Sequence, residues 1–140
     1  VIRVLNRQRK LAVNARRLET FAQSALSRCL KLPRLKSGVL KELTEISVIL
    51  VSDRRIAQIH GQFMNEPGPT DVITFQHGDI VISVETAKRQ AREFGATVDH
   101  ELRLYLVHGL LHLAGFDDRT SAGAAEMKRF QERLTRAIHR

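Results

Sequence analysis

The sequence of 140 residues contains one cysteine, no tryptophan, one tyrosine and three prolines. A lone Cys29 excludes an internal disulfide framework and a cysteine-built zinc site. With only Tyr105 and six phenylalanines as aromatics, composition argues against a platform on which nucleic-acid bases stack. No apolar run approaches the roughly 20 residues needed to span a bilayer, so a transmembrane helix is excluded and no membrane partner is expected. There is no internal repeat, low-complexity segment or interdomain linker. Against these absences stands an ordinary globular balance, 43% hydrophobic and 27% charged. One domain covering residues 1–140 is expected, burying roughly 70% of the unfolded chain's surface.

Acid is scarce in the first quarter. Residues 1–36 hold Glu19 as their one acid against ten bases, a net of +9. The bases are Arg3, Arg7, Arg9, Lys10, Arg16, Arg17, Arg28, Lys31, Arg34 and Lys36. Residues 37–140 hold 13 bases and 14 acids, a net of −1, so the whole +8 comes from the start of the chain. A pI near 10.5 points to a polyanionic partner, with nucleic acid the leading candidate. The alternative is a solvated basic helix face. The chain starts at Val1, and no continuous apolar core follows its basic residues as in a signal peptide. With a single cysteine, this leads us to expect a cytoplasmic location.

The pattern predicts an α+β fold, a small mixed β-sheet packed with helices. Strands are expected at 1–5, 45–52, 71–76 and 79–84. The run Glu45–Ser52 has a nearly continuous apolar centre, as a buried strand does. Helices are expected at about 14–32, from Ser52 or Asp53 to 64, from Ser83 or Val84 to 94, from Thr97 or Asp99 to 114, and at 121–138. Gly95 and Gly115 end two of them. Residues 65–69 read as a rigid turn-rich loop.

The stretch His108-Gly-Leu-Leu-His112-Leu-Ala-Gly115-Phe-Asp117-Asp118 carries the chemistry. Four residues apart on a helix, His108 and His112 share one face about one turn apart, where two imidazoles can hold one metal ion. Gly115 ends the helix and lets the chain turn back, so Asp117 or Asp118 can supply a third ligand. Two histidines, one carboxylate and an open fourth position make a known form of catalytic zinc site. The peptidase motif H-E-x-x-H needs a general base after the first histidine. Gly109 stands there, which opposes peptide hydrolysis.

These residues resemble a known family. His108–Asp118 is similar to the signature HGxLHLxGYDH of the YbeY endoribonucleases, matching at His108, Gly109, Leu111, His112, Leu113, Gly115 and Asp117, with Phe116 for Tyr. The family element PTDVLSF appears as Pro69-Thr-Asp-Val-Ile-Thr-Phe75. Its GDI strand appears as Gly78-Asp-Ile80, and Glu126-Met127 fits the last helix. The resemblance runs in unbroken order over about 45–135. It implies a metal-dependent RNA hydrolase acting in ribosomal RNA maturation, at the small-subunit 3′ end especially, and in ribosome quality control. It also implies a zincin-like metal-binding helix, one Zn²⁺ per chain, and the ribosome or its small subunit as partner.

Two positions depart from the pattern. The family's third ligand is histidine, and Asp118 stands there. Carboxylate oxygen binds Zn²⁺ at about 2.0–2.2 Å, much as imidazole does, so a site of His108, His112 and Asp118 is preserved with added negative charge. That charge shifts preference slightly toward harder ions such as Mn²⁺. The family's Asp at 117 is not a ligand, which ranks Asp117 below Asp118. Second, the family's arginine before the PTD element is replaced by Met64, which cannot hold a phosphate. Arg54, Arg55 or Arg103 are candidates to replace it, and Thr70 and Asp71 to shape the substrate loop. No residue is assigned as general base or other catalytic group. The leading reading is an endoribonuclease, and the alternative is a weakened or inactive zinc-bearing ribosome-associated RNA-binding factor.

Overall fold

The computed structural model describes residues 1–32, 38–64 and 70–138, with Met64 described by its backbone alone. Arg34, Lys36, His139, the whole turn-rich loop 65–69 and the expectation placed on the Met64 side chain lie outside the described residues.

Among the described residues there are ten elements, nine of them in the expected order. Strand β1 (Ile2–Asn6) leads to helix α1 (Ala15–Leu30). A 3₁₀ turn at Leu40–Glu42, not foreseen from the sequence, precedes β2 (Ile46–Val51). Helix α2 (Asp53–Met64), strands β3 (Val72–Thr74) and β4 (Asp79–Ser83), and helices α3 (Val84–Phe94), α4 (Val98–Leu113) and α5 (Ser121–Ala137) complete the chain. The starts are set by side chains that satisfy orphan helix N–H groups. Asn14 Oδ1 accepts from Arg17 N–H at 3.0 Å, and Ser83 Oγ accepts from Thr86 N–H at 3.2 Å.

The sheet order is β1-β2-β4-β3, mixed as expected: β1, β2 and β4 run parallel, and β3 lies antiparallel to β4. Parallel neighbours on both sides bury β2, which explains its continuous apolar run. The register sorts its residues between two faces. Val48 pairs with Ile80 and Leu50 with Ile82, and these four pack with α1 and α4 in the main core. Ile49 pairs with Val81 on the opposite face, where α2 adds Ile56 and Ile59 to a smaller cluster.

Strand β3 is shorter than the expected 71–76. After Thr74 the chain is already turning, with Phe75 N–H bonded to Asp79 O at 2.8 Å and Gly78 N–H to Phe75 O at 2.9 Å. Asp53 joins α2 to α3: its Oδ1 accepts from Ser83 Oγ at 2.6 Å and Thr86 Oγ1 at 2.8 Å, and its Oδ2 pairs with Arg89. Burial raises the Asp53 pKa, but these partners outweigh it and hold the carboxyl below its ordinary value.

Candidate metal centre

Helix α4 is apolar around most of its circumference because it is surrounded. It packs on α1, α3, α5, β3 and β4, and Leu102, Leu106, Leu110 and Leu113 are all buried. The part of its surface that opens between β3 and α5 carries His108 and His112, with side chains 25% and 27% exposed. One helical turn of separation therefore leaves two imidazoles edge to face at a cleft, their ring centroids 4.6 Å apart. Gly109 faces the sheet instead. A Cβ there would lie 2.7 Å from Ile80 Cγ2, closer than van der Waals contact allows. The peptidase base is absent because this position is packing against β4.

The helix ends in a Schellman closure, with Gly115 N–H bonded to His112 O and Phe116 N–H to Leu111 O, both at 3.0 Å. Gly115 has φ 100°, a conformation that residues with a Cβ rarely adopt. Buried Phe116 then packs against Phe130 of α5, with ring centroids 5.2 Å apart. This turn returns Asp118 to the histidines.

His108 Nε2 lies 3.0 Å from His112 Nε2. Asp118 Oδ2 lies 3.6 Å from the first nitrogen and 3.9 Å from the second. A tetrahedral ion with bonds of about 2.0–2.1 Å separates neighbouring ligands by about 3.3 Å, so these spacings need little adjustment. The protons also fit. His108 Nδ1 donates to Gln131 Oε1 at 2.9 Å, which leaves Nε2 with its lone pair. Burial and the neighbouring His108 lower the His112 pKa, while Asp118 and a hydrogen bond to the Phe116 backbone partly offset them. His112 is thereby favoured as neutral imidazole, the form that binds metals. Two nitrogen lone pairs at this spacing repel unless a proton or cation lies between them. The donor set suits a divalent ion of the zinc type.

The cleft beside the triad has a volume of about 320 Å³, and Thr70, Asp71, Thr74 and Gln76 line it. Thr74 closes β3, and Gln76 lies in the turn that follows it. Asp71 Oδ1 accepts from Val72 N–H at 2.7 Å and from Thr70 Oγ1 at 3.4 Å. The structure thus brings Thr70 and Asp71 to His108, His112 and Asp118.

Other candidates stand elsewhere. Asp117 turns away into its own loop, accepting from Arg119 N–H at 3.1 Å. Arg54 and Arg55 belong to the first turn of α2 and line neither cavity at the triad. Arg55 instead borders an apolar groove on the α2 face of the sheet. Arg103 is buried with its guanidinium 4.8 Å above the Phe21 ring and 3.0 Å from Asp99, so it does not stand in for the absent family arginine. Of the basic N-terminal quarter, Arg3 pairs with Glu45 at 3.0 Å, and no described member lines a cavity at the triad. The sequence reading missed Gln131. It lies on the same α5 face as Met127, four residues earlier, and that helical spacing was the one available signal.

Fold and site define a class: an α+β protein whose buried helix presents two histidines and a returning aspartate as a candidate centre for one metal ion. The family model for endoribonuclease YbeY matches residues 3–139. The endoribonuclease YbeY of Moorella thermoacetica is 37% identical, over 82% of this chain and 85% of its own. That of Aquifex aeolicus is 34% identical, over 93% and 85%, and that of Nautilia profundicola 41%, over 68% and 73%. The solution structure of TM1509 from Thermotoga maritima superposes with a TM-score of 0.66 at 27% identity, covering 96% of this chain and 87% of that one. The chain belongs to the YbeY family.

Proposed function

We propose that this chain is a metal-dependent endoribonuclease of ribosomal RNA processing, with residues 1–140 forming one catalytic domain. The observation that carries the reading is the assembled triad of His108, His112 and Asp118 in a chain matched along nearly its whole length by the YbeY model. Zn²⁺, one per chain, is the metal this donor set favours. When bound, such an ion supplies Lewis-acid polarisation of a phosphoryl oxygen and lowers the pKa of a coordinated water.

The chain's own residues set the conditions for that chemistry. Gln131 fixes the His108 tautomer, and the Gly115 turn delivers the carboxylate. Thr70 and Asp71 shape the wall against which the substrate lies. Arg54 and Arg55 reach only RNA that continues over the α2 face. The high pI suits an RNA partner, and the ribosome or its small subunit is the context in which such an RNA is met. Among the described residues no helix is long and apolar enough to cross a membrane, and a cytoplasmic site of action accords with a ribosomal substrate. The inactive-factor reading is not favoured, because the triad keeps its full donor set and its supporting hydrogen bond.

The test is cleavage of a ribosomal RNA precursor by purified protein, with metal content measured in parallel. Cleavage that stops with chelator and returns with Zn²⁺ or Mn²⁺ is expected. A metal-loaded protein that binds this RNA and never cuts it would favour the inactive factor.

A further inference from the structure

A second cavity adjoins the triad on its α5 side. It has a volume of about 260 Å³, and His108 and Asp118 form the wall it shares with the metal centre. Its remaining polar lining comes from Asp71, Tyr105, Lys128 and Gln131. Tyr105 is 7% exposed, and among the described residues its hydroxyl makes no hydrogen bond of good geometry. Burial raises its pKa, and Glu101 one turn back on α4 raises it further, so the O–H stays protonated and able to donate. The Glu101 carboxylate is an acceptor within its reach, and the hydroxyl can rotate from it toward an acceptor in the chamber. Lys128 stands exposed at the mouth. Among the described residues that line either cavity at the triad, it is the one lysine or arginine.

We propose that this chamber is a phosphate subsite, with Lys128 as its cation and Tyr105 as its buried donor. The inference rests on the proposed RNA substrate and places one phosphate of the strand beside the metal centre. An ammonium and a neutral hydroxyl are the pair that a phosphodiester needs. The carboxylates of Asp71 and Asp118 would repel the phosphate were no cation present.

The test measures binding of a single-stranded ribosomal RNA fragment to metal-free protein across a salt series, so that no cleavage intervenes. Lys128→Ala should raise Kd roughly 2- to 10-fold at low salt and flatten the salt slope by about 0.7, the share of one phosphate contact on a single strand. Lys128→Arg should restore both. Tyr105→Phe should weaken binding in native Lys128 protein and have less effect once Lys128 is removed, as residues on one phosphate do. Lys41→Ala, an equal loss of charge on the 3₁₀ turn, should leave the slope less affected. If Lys128→Ala and Lys41→Ala behave alike while RNA is still bound, and the metal-loaded native protein cuts it, the chamber is not a phosphate site and the enzyme reading stands. If no variant and no native protein binds RNA, the substrate assignment itself fails.

Discussion

Replacing Gln131 by Met removes the acceptor that holds the His108 ring, at nearly constant volume and helix propensity. In the native chain Nδ1 donates to Oε1 at 2.9 Å, so the ring is oriented and its Nε2 lone pair faces His112. Loss of such a partner lowers metal affinity about 10- to 100-fold, or about 1.4–2.7 kcal/mol. His108 is 25% exposed, so water can partly replace the glutamine, which places the effect nearer the lower bound. Folding should suffer less: one neutral hydrogen bond contributes about 1 kcal/mol, or roughly 3 °C in Tm at this size. The assay is competition with a chelator of known affinity, with circular dichroism to check the fold. Gln131→Glu should bind at least as tightly as the native protein, because a carboxylate makes the imidazole a stronger ligand. If Gln131→Met binds metal as tightly as the native protein, packing alone orients His108 and the role given to Gln131 is wrong.

His112→Ala should remove stoichiometric metal, read by elemental analysis, whereas Asp117→Ala should not. Gly109→Glu, which restores the peptidase motif, should instead lower stability by about 3 kcal/mol or more, roughly 10 °C in Tm, by forcing a charged side chain against Ile80; casein should remain uncut. Asp53→Asn should destabilise by about 1–3 kcal/mol at neutral pH. The Asp53 pKa is depressed on folding, so its contribution is full above about pH 4–5 and fades as pH falls through the folded value. Denaturant melts of the two proteins should therefore converge in acid. Cys29 is buried and its thiol is pushed up to about 12, so a thiol reagent at neutral pH should label it only on unfolding.

What was legible in the sequence was local. The caps at Asn14, Ser83 and Thr97, the glycine at 95 and the histidine spacing on α4 are written within a few residues of the features they create. The sheet faces follow from the period of two. What required the structure was whatever depends on distant segments meeting. Gln131 lies 23 residues from His108 and is brought to it by a turn whose angle no periodicity encodes. Arg103, an open candidate from sequence, lies beneath α1 because Phe21 offers its ring there. Composition argued against an aromatic platform, yet Phe75 lies edge-on to Phe63 at 5.7 Å and stacks on His77 at 5.5 Å. Few aromatics can still gather, because composition counts side chains and does not place them.

A carboxylate third ligand changes the demand on the rest of the site. Asp118 and the nearby Asp71 together cancel the formal charge of a divalent ion, whereas a three-imidazole site with Asp71 alone would keep a positive excess. A phosphodiester approaching the triad of this chain therefore meets a weaker attraction. The described bases of the N-terminal quarter line neither cavity at the triad, and exposed charges more than about 8–10 Å away are largely screened at physiological salt. A compensating cation has to lie within direct reach of the phosphate, and Met64 offers none. The mouth of the α5-side chamber, one turn of helix from Gln131, is where Lys128 meets that requirement. The carboxylate at 118 thus adds negative charge to the centre, and the exposed lysine on α5 opposes it.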